Sequence, residues 1–152
     1  MGKITPFLWF DTKAEEAARF YVSIFPNSKV LNVWRAGEQV QGVSFVLNGQ
    51  EIRGLNGGPK FKFTEAASMF VDCESQEEVD RYWNALTTDG GSESMCGWLK
   101  DKYGLSWQII PTQLGRMLGN QDRVKAGRAL QAMLKMKKIV IRELENAFEG
   151  RS

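Results

Sequence analysis

The chain spells one local order twice, and that repetition limits its fold more than any other feature. A short apolar stretch over residues 4–10 precedes Thr12-Lys13-Ala14-Glu15, and another over residues 67–73 precedes Ser75-Gln76-Glu77-Glu78. Each tetrad sets a hydroxyl three residues before a carboxylate, the pattern of a helix capping box. Ala14, Ala17, Ala18, Tyr21, Ile24 and Phe25 then recur at helical spacing until Pro26-Asn27 stops the run. In the second copy, Val79, Tyr82, Trp83 and Leu86 mark one helix face, and Asp89-Gly90-Gly91 makes the turn. Three strand-like pieces close each half: residues 29–36, 40–47 and 50–55 in the first, and 92–96, 98–102 and 105–110 in the second. Asn48-Gly49 is a strong hairpin signal, because both residues tolerate positive φ. Thr12 and Ser75 lie 63 positions apart, and at that offset Phe7 falls on Phe70, Leu8 on Val71, Glu15 on Glu78 and Phe20 on Trp83. Such self-similarity predicts a duplicated βαβββ unit.

The expected organisation is therefore α+β. Residues 1–111 hold two modules, about 1–60 and 64–111, and residues 112–152 add C-terminal helices to the same globular unit. In that tail, Val124, Leu130, Met133 and Leu134 after Asp122 suggest one apolar face, and Ile141, Leu144 and Phe148 suggest another. The cations Lys135, Lys137 and Lys138 read as a solvated helix face.

Composition narrows the function classes. With 43% apolar and 25% charged residues, the 152-residue chain can bury an ordinary core. A net charge of +2 argues for neither nucleic acid nor an anionic membrane as partner. Cys73 and Cys96 are too few for a disulfide scaffold and read as free thiols in a reducing compartment. No stretch resembles a signal peptide or a spanning helix, so the expected location is cytoplasmic.

The motifs from Ile4-Thr5-Pro6-Phe7-Leu8-Trp9-Phe10-Asp11 through Leu55-Asn56-Gly57-Gly58-Pro59 to Tyr103-Gly104-Leu105-Ser106-Trp107-Gln108-Ile109 together resemble those of the PhnB-like proteins, whose members are often labelled demethylubiquinone methyltransferase-like. The opening Ile4-Thr5-Pro6-Phe7-Leu8-Trp9-Phe10-Asp11 is similar, as are Ala14-Glu15-Glu16-Ala17 and Phe20-Tyr21 through Phe25-Pro26. So are Leu55-Asn56-Gly57-Gly58-Pro59 with Phe61-Lys62-Phe63, and Cys96-Gly97-Trp98-Leu99-Lys100-Asp101. Tyr103-Gly104-Leu105-Ser106-Trp107-Gln108-Ile109 and Gln131-Ala132-Met133-Leu134-Lys135-Met136-Lys137-Lys138 complete the set. The resemblance implies the vicinal-oxygen-chelate, glyoxalase-like fold of the glyoxalase/bleomycin resistance/dioxygenase superfamily. Its paired βαβββ modules carry curved, mostly antiparallel sheets around a pocket, and such proteins are commonly homodimers.

Metal-using relatives draw His, Glu or Gln ligands from the first and last strands of each module. The positions that match here are Thr5, Gly54, Ala67 or Ser68, and Gln108. Glu51 stands nearby, on a face that strand register decides. Catalytic zinc sites rest on imidazole, thiolate and carboxylate. This chain has no histidine, Gln108 is a weak neutral donor, and Gly54 and Ala67 offer no side-chain donor. The expectation is no metal and no cofactor, which removes the Lewis acid of glyoxalase and dioxygenase chemistry. A methyltransferase reading lacks the glycine-rich turn that opens a helix, because Gly57-Gly58 runs into Pro59. Cys96 has no histidine to serve as its base.

What remains is a metal-free small-molecule binding pocket. Trp9, Phe45, Trp98 and Trp107 lie on candidate strands, where some face the pocket and others pack under helices. Asn56 and Gln108 supply hydrogen bonds, and Cys96 completes the candidates. Aromatic walls suit a planar or cationic ligand. The alternative is an enzyme of the same superfamily that uses pocket carboxylates or Cys96.

Overall fold

The computed structural model describes residues 2–151 and divides the chain into two compact units, Met1–Phe63 and Thr64–Ser152. The first unit runs β1 (Phe7–Phe10), α1 (Ala14–Ile24), β2 (Lys29–Ala36), β3 (Gln39–Leu47) and β4 (Gln50–Asn56). The second repeats the order with β5 (Ser68–Cys73), α2 (Gln76–Leu86), β6 (Ser92–Glu93), β7 (Trp98–Lys100) and β8 (Ser106–Pro111). It then adds α3 (Thr112–Leu118), α4 (Arg123–Met133) and α5 (Ile141–Glu149). Each unit holds one open, four-stranded mixed sheet, ordered β1-β4-β3-β2 or β5-β8-β7-β6. The first and last strands of each module pair in parallel, and the other pairings are antiparallel. The duplicated βαβββ order is thus one topology built twice. Among the described residues no helix is long and apolar enough to cross a membrane.

Each helix covers one face of its own sheet. Ala14, Ala17, Ala18 and Tyr21 are fully buried, and the Tyr21 ring lies 6.2 Å from that of Phe45. Small alanines let α1 approach the sheet closely, while Val43, Phe45 and Ile52 rise to meet it. In the second unit Val79, Tyr82, Trp83 and Leu86 do the same work over Leu99, Trp107 and Ile109. The Asn48-Gly49 hairpin forms as expected, with φ of 46° and 87°, the two positive values of a type I′ turn.

Four local expectations fail, each for a tertiary reason. The Thr12 box does not form. Lys13 takes the N-cap position without a side-chain bond, and the Ala14 N–H instead donates to Asn56 Oδ1 at 2.8 Å. The parallel register that sets Phe10 beside Asn56 delivers this replacement cap from β4. The Ser75 cap does form, since Ser75 Oγ accepts from Glu78 N, but Glu78 Oε1 accepts from Glu74 N, one residue before the N–H that a closed capping box would use. Strands β6 and β7 stop short of residues 92–96 and 98–102. Cys96 and Gly97 take φ of 61° and 84°, and donate their N–H groups to the Met136 and Lys137 carbonyls rather than to a strand.

On α4 the buried residues are Ala126 and Ala129; of the expected face Met133 packs against the core, whereas Val124, Leu130 and Leu134 are exposed at 68%, 38% and 48%. The two alanines allow close packing inward, so the larger residues are displaced to solvent. Ile141 and Leu144 of α5 are buried as expected, Leu144 in a cluster with Leu114, Met136 and Ile139. Lys137 and Lys138 follow α4 in a turn, and Lys138 pairs with Asp80 of α2 at 2.8 Å, so the late cations are not one helix face.

Candidate functional site

Alternation along the strands sorts the candidate residues onto two faces of each sheet. In the second unit Leu99 pairs with Trp107 beneath α2, and Trp98 pairs with Gln108 on the face away from it. Ser68, Phe70, Lys100 and Ser106 share that open face by parity. Trp98 and Gln108 are therefore direct neighbours, and the Gln108 amide donates to Ser68 Oγ at 3.0 Å. Trp107 turns into the core, where its Nε1 donates to Asp101 Oδ2 at 2.8 Å.

A cavity of about 320 Å³ opens beside Trp98. Ser92, Ser94 and Glu93 border it from the edge strand and the turn after it, and Lys100 and Ser106 border it from β7 and β8. Lys100 pairs with Glu65, and this bond holds the Glu65 carboxyl below its usual value. Glu93 Oε2 accepts from Trp83 Nε1 at 2.6 Å. Ser106 is 1% exposed, and its hydroxyl has no hydrogen-bond partner among the described residues. A buried hydroxyl without a partner is uncommon in folded proteins. The wall thus offers one indole, three hydroxyls and carboxylates that are already engaged. Alternation from Trp98 would have found Lys100. No sequence signal pointed to Glu65, which reaches the site from a loop.

In the first unit the open face carries Trp9, Leu55, Glu51 and Arg53. Trp9 stands edge-to-face on Phe61 with centroids 4.9 Å apart, and its Nε1 donates to Gly58 O at 2.9 Å. Phe45 lies on the opposite, helix-covered face and is fully buried. Asn56 has both amide atoms committed: the oxygen caps α1 and the nitrogen donates to Val40 O at 3.1 Å. Cys96 sits half-buried in the loop that leads to β7.

The positions that match a metal site fit a divalent ion poorly. A side chain at Gly54 would meet the Phe10 ring at 3.1 Å, so that position faces the core beneath α1. Glu51 does lie on the open face, but Arg53 holds it at 3.0 Å. Gln108 donates its amide N–H to Ser68, and the Oε1 that would face an ion is a neutral, weak ligand. Among the described residues no three Cys, Asp or Glu side chains gather where they could hold an ion. The glycine loop fits S-adenosylmethionine no better. Gly57 gives way to the Trp9 ring, which stands 2.4 Å from where a Cβ would lie, and Gly58 supplies the carbonyl that anchors the indole. Both glycines serve Trp9.

The two thiols differ in chemistry. Burial pushes the Cys73 thiol up to about 12, helped by the carboxylates of Glu78, Asp72 and Glu74. Because the folded value is the higher one, ionisation of the unfolded thiol weakens the fold as pH rises above about 8.5. Iodoacetamide at about pH 8 is expected to modify Cys96 and to spare Cys73 until urea unfolds the chain. Peptide mapping of the alkylated protein checks this, and early labelling of Cys73 would contradict its burial.

A family model described as 3-demethylubiquinone-9 3-methyltransferase matches residues 2–110. Among solved structures, a PhnB protein from Bacillus cereus is 38% identical with a TM-score of 0.69, over 73% of this chain and 100% of that one. A protein from Pseudomonas aeruginosa is 19% identical with a TM-score of 0.63, over 73% and 98%. A glyoxalase-related enzyme from Fulvimarina pelagi is 16% identical with a TM-score of 0.52, over 75% and 91%. The last two share the fold alone. No curated protein matches.

Proposed function

The chain belongs to the PhnB-like family of the glyoxalase-related superfamily, and on that footing we propose that it binds a small molecule without a metal. The ligand occupies the open face of the second sheet, against Trp98. The observation that carries this reading is the cavity beside Trp98, with the unpartnered Ser106 hydroxyl in its wall. Ligand sites combine an apolar surface with a few placed polar groups, and this wall has both. Trp98 offers a face for a planar or cationic ring, and the serine hydroxyls orient it, with Gln108 beside Trp98 on the same face.

Binding is favoured over catalysis by the state of the carboxylates. Lys100 stabilises ionised Glu65, which makes it a weaker base, and Glu93 is held by the Trp83 indole. Both carboxylates are thus engaged by protein partners. Cys96 lies outside the residues that line this cavity.

A thermal-shift screen of planar aromatic compounds tests the reading. A binder at about 100 times its Kd should add about 2.7 kcal/mol of stability by mass action. Trp98→Ala should abolish that gain; because the indole is partly buried, the variant also melts lower without ligand, so the ligand-induced shift is read against each variant's own baseline. A ligand that shifts the wild type and Trp98→Ala equally would place its site elsewhere.

A further inference from the structure

Residues 123–142 hold seven lysines and arginines and no carboxylate, although the whole chain is only +2. A shallow groove of about 760 Å³ runs between α4, in this stretch, and the end of α5. Its rim carries Arg123, Arg128, Lys135 and Arg151, and among the described residues no acidic side chain lines it. Its floor includes Val124, which is 68% exposed, and Gly127, where an added Cβ would meet nothing within 4 Å. The nearest acid of α5, Glu149, is paired with Lys125 at 3.6 Å and does not border the groove. Arg128 also donates to the Ala147 and Phe148 carbonyls, which keeps its charge fixed at the α5 end.

From this arrangement we infer that the α4–α5 groove docks an acidic, amphipathic segment of a partner protein. Charge complementarity selects the occupant: the cationic rim attracts carboxylates, and the exposed apolar floor takes the segment's apolar face. A second copy seated α4 to α4 would bring like charges together, which disfavours self-association.

The test uses the full chain and a labelled acidic peptide with leucines at i, i+3, i+4 and i+7 and glutamates between them. Fluorescence anisotropy should report saturable binding that weakens as salt rises. A scrambled peptide of the same composition should bind about tenfold more weakly, because the apolar stripe is lost. Val124→Asp and Lys135→Glu, both surface changes, should each cost about tenfold, with circular dichroism confirming the fold. Equal binding of the scrambled peptide, or variants that bind like wild type, overturns the inference. So does stronger binding to phosphatidylglycerol vesicles or duplex DNA than to the peptide.

Discussion

Replacing Asp101 by alanine is expected to destabilise the second unit by about 3–5 kcal/mol, a large part of what a domain of this size possesses. Asp101 is 2% exposed and follows β7 at the turn before β8. Its Oδ1 accepts from Tyr103 N at 2.8 Å and Leu105 N at 3.1 Å, and its Oδ2 accepts from Trp107 Nε1 at 2.8 Å. One carboxylate therefore closes the turn and fixes a core tryptophan. Alanine leaves these donors unpaired in a site that water reaches poorly, at roughly 1–3 kcal/mol for each orphaned donor. Water recovers part of the cost near half-buried Tyr103. Asp101→Asn keeps the shape and one acceptor oxygen, but its amide N–H₂ must face a donor, so it should fall between alanine and wild type. Urea titration followed by tryptophan fluorescence measures both variants. If Asp101→Ala unfolds at the wild-type midpoint, the carboxylate is not what holds the turn.

Gly57→Ala is expected to cost about 3 kcal/mol by overpacking. The new methyl would sit 2.4 Å from two atoms of the Trp9 ring and 2.7 Å from Leu55 Cδ1. The ring cannot easily yield. Its Nε1 is bound to Gly58 O, Phe61 stands against it, and the Gly57 N–H is tied to Phe10 O at 2.8 Å. The clash is steric and not conformational, so removing the indole should relieve it. The double variant with Trp9→Ala should be more stable than the sum of the two single changes implies, and a double-mutant cycle reads the coupling. Additive costs would show that the glycine is needed for some other reason.

Each prediction bears on the open face of one sheet. Asp101 anchors the face of β8 that α2 covers, and so fixes which residues of β8 face the cavity. Gly57 determines how Trp9 lies on the open face of the first sheet. Each variant should therefore change tryptophan emission even where the chain stays folded.

Much of the architecture was legible in order and spacing. The repeated strand, capped helix and three strands predicted both modules, because hydrophobic period and turn residues are local properties of the chain. The Asn48-Gly49 hairpin and the Ser75 cap could be read for the same reason. The absence of histidine restricted the metal chemistry before any coordinate was known. What only the tertiary structure decided is which way each side chain faces. Strand side chains alternate with period two, so a one-residue slip exchanges core and pocket. Trp98 faces the cavity, while Phe45 and Trp107 are core, and composition treats all three alike. Tertiary contact also supplied the helix caps. Asn56 reaches α1 from β4, and Gln76 Oε1 accepts from Ile141 N at the start of α5, across distances that no local pattern encodes.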